Sequence, residues 1–178
     1  MHRPPLRLLL AAAALGALGH EAQAACTDVA APGVQWRRCL LDGSDFSGVD
    51  LTGADVRDSS FKRADLTGAN LADAQARRAK FVSSRLEGTT FTGANLTQAD
   101  LTSADLTGAD LTGASLRGAR LYEANLRGAD LTDAVLDGAD LLRANFSGAT
   151  WVDGRTVCAE GSLGQCHGRP ATGDKAEG

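Results

Sequence analysis

The sequence predicts an all-β solenoid, a chain that winds around its own axis and turns a corner every five residues. Three observations predict it. A large apolar residue returns at every fifth position from Phe46 to Trp151, 22 positions with Ala76 the one exception and no break in register. A small residue, usually Ala, stands two positions before each of them. The remaining positions are mostly Asp or Asn, Thr or Arg, and Gly.

The apolar series decides the geometry. A helix repeats near 3.6 residues and a flat strand at 2. A period of five would scatter these side chains around either one and bury none of them. If each five-residue side turns two residues inward, the small one and the large one, every apolar position reaches a common interior. Leu66, Leu86, Leu106, Leu126 and Phe146 are then interior residues. Ala76 leaves that interior short of several carbons, a gap that the large rings of Phe61, Phe81 and Phe91 are expected to fill.

The unit is A-(D/N)-L-(T/R)-G, as in Ala104-Asp105-Leu106-Thr107-Gly108. On this unit, residues 39–153 resemble the pentapeptide-repeat family with its A(D/N)LXX motif. The resemblance implies a right-handed quadrilateral parallel β-helix with four repeats, or 20 residues, per coil. Twenty-two repeats then make about five and a half coils. At a strand spacing of ~4.8 Å the rod is roughly 26 Å long.

Composition agrees with a repeat rather than with disorder. Aromatic residues are only 4% and there are 21 Gly, but 43% of the chain is hydrophobic and regularly spaced. The net charge of -4 is mild and identifies no nucleic-acid partner.

The flanks divide into four pieces. His2, Arg3 and Arg7 precede an unbroken Leu/Ala/Gly run from Leu8 to Leu18, and Ala22-Gln23-Ala24 fits a small-x-small cleavage site. Residues 1–24 therefore read as a signal peptide, too short to span a bilayer, on a chain bound for the bacterial periplasm or the exterior. Residues 25–38 read as an N-terminal cap, 154–166 as a C-terminal cap and 167–178 as a disordered tail. Four cysteines follow the cleavage site: Cys26, Cys39, Cys158 and Cys166. An even count in an exported chain favours disulfides, and four cysteines allow three pairings. Two local pairs flank the repeats, so Cys26–Cys39 with Cys158–Cys166 is the simplest, since the long-range pairings would bring the two ends of a rod together. Cys26 also stands where a lipid-carrying cysteine could, but Gln23 occupies the place where lipobox cysteines have Leu. Similar flanking pairs surround exported members of the family that the repeat resembles.

Positions twenty apart stack in columns on the implied coil, and three surface patches follow. Arg57 and Arg77 share a column near Lys62, Arg63, Arg78, Lys80 and Arg85, a basic face for an anionic partner unless Asp55, Asp58, Asp65 and Asp73 balance it. Val82, Thr102, Tyr122 and Leu142 form an outward apolar column, with Val135 on the adjacent face, which suits a protein contact or a dimer seam. Asp45, Asp65 and Asp105, and Asp50, Asp110 and Asp130, form acidic columns that read as ordinary repeat residues rather than a Ca²⁺ site.

No catalytic constellation is present. His167 is the only histidine after the cleavage site, with no phosphate-cradling loop or nucleophile elbow. The reading is therefore a non-catalytic exported binding or scaffold protein, with no cofactor, no metal and no nucleic acid, and with a protein or a second copy as partner. The alternative is the quinolone-resistance branch of the same family, whose members resemble B-form DNA and bind DNA gyrase in the cytosol. This chain departs from that branch in its export signal, in a net charge of only -5 after Ala24, and in lacking a helical C-terminal segment.

Overall fold

The computed structural model describes residues 26–170. The signal segment expected over 1–24, and residues 171–178 of the expected tail, lie outside them.

Backbone pairing follows one rule. Residues twenty apart bridge in parallel, as Asp45 does with Asp65 and Asp65 with Arg85. Four such series run side by side, Gln35 to Val135, Leu40 to Asp140, Asp45 to Asn145 and Asp50 to Thr150, with six residues in each. A single side bonds in both directions: the Leu106 N–H donates to Asn125 O at 2.7 Å, and the Asp105 N–H to Ser84 O at 3.0 Å. Each side between the two ends thus finds its partners one wrap above and one wrap below, which satisfies the backbone without neighbouring strands. This is a β-helix.

Each position of the repeat has a physical task. The Ala109 N–H closes a turn onto Leu106 O at 3.0 Å, and Gly108 sits at φ 65°. A type II turn needs positive φ at its third residue, which is why Gly recurs there. Ser103, at the same place in its own repeat, adopts φ 54° without being Gly. The Asp before the Leu latches the corner: Asp105 Oδ1 accepts from the Thr107 N–H at 3.0 Å and from its hydroxyl at 2.6 Å. Asp50 with Thr52 and Asp130 with Thr132 repeat the arrangement. Short polar side chains that bond the backbone two residues on are a recognised turn device.

The interior is as expected. Leu66, Leu86, Leu106, Leu126 and Phe146 are fully buried, and so are most of the Ala residues two positions before the large ones. Each large side chain contributes roughly 1.5–3 kcal/mol on burial. Phe61 stacks on Phe81 at 5.2 Å and Phe81 meets Phe91 edge-on at 5.9 Å. The rings expected beside the fully buried Ala76 therefore form one continuous chain.

The ends differ from the expected boundaries. The ladder begins before residue 39: Gln35 already bridges Asp55, and the Trp36 N–H donates to Asp55 O at 2.8 Å. Trp36 and Leu41 are both buried and continue the five-residue register backwards, so the expected N-terminal cap contains the first side of the ladder. The tail also starts later than 167. Strand β1, Thr156–Cys158, pairs antiparallel with β2, Gly168–Pro170. The reason is the reversal beyond Asp153: β1 lies antiparallel on Thr150, which leaves its outer edge free to accept one more strand.

Both local disulfides are formed. Cys26 joins Cys39 with a Cα–Cα distance of 5.4 Å, and Cys158 joins Cys166 at 5.0 Å. Cys39 is itself an interior position, fully buried.

Candidate functional site

The outward column forms, with Thr102, whose hydroxyl donates to Asp100 Oδ1 at 2.6 Å, as its polar member. The Ser83 N–H donates to Thr102 O, the Ser103 N–H to Tyr122 O and the Glu123 N–H to Leu142 O, at 3.0, 2.9 and 3.1 Å. Those corner bonds hold Val82, Thr102, Tyr122 and Leu142 in line. Val82 and Tyr122 are half-buried, while Leu142 is 61% exposed. Val135 is half-buried at the end of the Gln35 series.

The basic face is neutralised in part from within, at Arg57, Arg78 and Arg85. Arg57 donates to both oxygens of Asp55, at 2.8 and 2.5 Å, and Arg37 reaches the same carboxylate at 3.5 Å. Arg78 donates to both oxygens of Asp58, at 2.6 and 3.0 Å, and Arg85 lies 3.2 Å from Asp65. The Arg78 hydrogen bonds hold the Asp58 carboxyl below its ordinary value. Burial works to raise Asp55, but the Arg57 hydrogen bonds outweigh it and leave that carboxyl lowered as well. Among the described residues, Arg77 and Lys80 are exposed and have no carboxylate within 4.0 Å.

Sequence reasoning missed Arg120. It lines an open groove of about 330 Å³ with Arg78, Lys80, Gln98, Asp100 and Gly118. The signal was available, because Lys80, Asp100, Arg120 and Asp140 bridge in sequence along one series. These four rungs, which follow the uncharged Leu40 and Ser60 in that series, form a ladder that alternates in charge. Arg120 lies 3.8 Å from Asp100, while Lys80 and Asp140 at its two ends have no ion-pair partner among the described residues.

The acidic columns serve the turns. Thr52 hydrogen bonds lower the Asp50 carboxyl, and the Ser47 N–H followed by its hydroxyl lowers Asp45. Among the described residues no group of three or more His, Cys, Asp or Glu could hold a metal ion, and no helix is long and apolar enough to cross a membrane. The Cys26 sulfur is bonded to Cys39, so it is not free to carry a thioether lipid in this state.

These features define a β-helical repeat solenoid. The chain belongs to the pentapeptide-repeat family: a pentapeptide repeat region matches at residues 54–131, and pentapeptide repeats of eight copies match at 22–58 and 114–150. No curated protein matches it. Among solved structures it is similar to HetL, a pentapeptide-repeat protein involved in heterocyst differentiation regulation in the cyanobacterium Nostoc sp. strain PCC 7120. Identity there is 26% over 69% of this chain and 85% of that one, with a TM-score of 0.33. It is 40% identical to alr5209, a pentapeptide-repeat protein of the same cyanobacterium, over 46% of this chain and 67% of that one, with a TM-score of 0.45. It is 20% identical to QnrB1, a plasmid-mediated fluoroquinolone resistance protein, over 68% of this chain and 71% of that one, with a TM-score of 0.41.

Proposed function

We propose that the chain is an exported, non-catalytic binding module, a right-handed quadrilateral rod that presents the Val82–Thr102–Tyr122–Leu142 column to a protein partner in the cell envelope. The observation that carries this reading is the column itself, an outward apolar row where Thr and Arg are usual, ending in the 61% exposed Leu142. Contiguous apolar surface of this kind marks contact sites. The four bridge series of six residues support four sides per coil and about six coils. The two disulfides support an oxidising compartment, bacterial periplasm or exterior, as does the basic-apolar-small order of residues 1–24. The alternative, a gyrase-binding mimic of DNA, asks for a continuous acidic surface, and the alternating Lys80–Asp100–Arg120–Asp140 ladder speaks against it.

A photoreactive residue placed at position 122 or 142 in intact cells tests the reading, with fractionation to fix the compartment. The expected result is one discrete adduct from these positions and none from position 110. Equal labelling at all three positions, or none at any, rejects the column as a contact surface.

A further inference from the structure

The side of the rod that carries the Lys80–Asp100–Arg120–Asp140 ladder is complementary to itself, and we infer that the partner on it is a second copy of this chain, packed antiparallel. This inference rests on the proposal that the apolar column is a contact surface, and it names the occupant.

A two-fold axis lying in this side, parallel to its strands and crossing between the Asp100 and Arg120 rungs, reverses the ladder onto itself. Lys80 then faces Asp140 of the partner subunit, and Asp100 faces Arg120 of the partner subunit. All four rungs are opposed by opposite charge, because the series alternates and has an even number of charged members. Both copies share one rung spacing, ~4.8 Å, so the register holds across all four charged rungs rather than at one point, with Leu40 and Ser60 of the same series lying beyond them. Lys80 and Asp140, the two members without an internal ion pair among the described residues, are the two that the operation brings together.

The flanking columns obey the same operation. On one flank Val82 meets Leu142 of the partner subunit, and Thr102 meets Tyr122 of the partner subunit, so the apolar row covers itself. On the other flank Gln98 faces Gly118 of the partner subunit, and Arg78 faces Gly138 of the partner subunit. A long side chain thus stands opposite an exposed glycine at each place, and Gly118 lines the open groove. Charge, apolarity and size are separate properties of three separate columns, and one axis satisfies all three. An isologous contact of this kind is the commonest way for two identical chains to associate. One side of a short rod falls in the class of interfaces below about 1,200 Å², so the dimer is expected to be weak and concentration-dependent.

Sedimentation equilibrium of the purified protein over a range of concentrations tests this. Lys80→Glu alone sets like charges face to face at two symmetry-related places and is expected to weaken the dimer about tenfold or more. Asp140→Lys alone should do the same. The double variant Lys80→Glu/Asp140→Lys restores opposite charges across the axis and should return the dissociation constant to near that of the parent. Thermal melting of each variant checks the fold. A chain that stays monomeric up to about 1 mM, or a double variant as weak as either single one, overturns the inference. The photoreactive residue at 142 separates the two proposals. Cross-linking between copies supports both. An adduct only with a different protein overturns the second copy and leaves the contact surface standing. No adduct at all overturns both.

Discussion

At the N-terminal end of the rod Trp36 is buried against Phe46, ring centroids 5.2 Å apart, and Phe46 leads on to Phe61 at 5.9 Å. At the C-terminal end the last ring pair, Phe146 with Trp151, is also 5.2 Å apart, but there the chain turns back. Leu163 bridges Asn145 and Val157 bridges Thr150, both antiparallel. The Phe146, Gly148 and Trp151 N–H groups donate to Ser162, Cys158 and Thr156 carbonyls at 2.8, 2.8 and 2.7 Å. The first end is closed from inside by aromatic volume and a cystine that reaches an interior position. The second is closed from outside by borrowed backbone. Any β-helix exposes a row of unpaired groups at its ends, which invites aggregation. A short reversal is the least chain that can pair such a row, because an antiparallel return needs only a tight connection.

The contrast can be broken in graded ways. Leu106→Asp, midway between the ends, buries a lone charge, so it should cost several kcal/mol and abolish cooperative melting at both ends. Trp36→Ala should cost about 3–5 kcal/mol, and Trp151→Ala clearly less, because Trp151 is half-exposed while Trp36 is buried. Urea unfolding of the pair measures the difference, and equal losses would mean that the two ends are closed alike. The cystines come next. They close sequence separations of 13 and 8 residues, which chain entropy values at about 3 and about 2.5 kcal/mol. Removing Cys26–Cys39 should lower global stability through the buried Cys39, whereas removing Cys158–Cys166 should speed hydrogen exchange mainly in β1 and β2.

The smallest effect is a pH effect. Asp153 accepts from the Thr156 hydroxyl and N–H and from the Arg155 N–H, at 2.6, 2.8 and 3.0 Å. The Thr156 hydroxyl first, then these N–H groups, holds its pKa at about 2. The folded value lies below the unfolded one of ~3.9, so the stabilisation is fully present above the unfolded value and is lost as pH falls through the folded one. Between about pH 4 and pH 2 the C-terminal reversal should loosen, seen as faster exchange at the Thr156 amide. Asp153→Asn should show that exchange already at neutral pH.

Much of this was legible in the residues. Leu66 to Phe146 could be assigned to the interior because a five-residue period excludes both helix and flat strand. Gly108 and Asp105 fit the turn they make. The period alone does not say how many sides complete a wrap, and the twenty-residue column came only with the family resemblance. Trp36 lay on the register but was hidden by neighbours Gln35 and Arg37 that leave the motif. The reversal at Gly168–Pro170 carries no strand pattern of its own and is set by the edge that β1 offers. The two-point pairing of Arg78 with Asp58 depends on side-chain reach, which composition does not encode, whereas Arg120 stands on the twenty-residue column with Lys80, Asp100 and Asp140.

The bridges of the ladder all span the same twenty residues of chain. No rung of the rod therefore waits for a distant partner: each wrap can settle on the one laid down just before it, and loop closure costs the same small entropy every time. A chain delivered end-first can wind up in order of arrival, with the Cys26–Cys39 staple made first and the Cys158–Cys166 staple last. The growing top edge then stays exposed only for the time it takes the next twenty residues to appear.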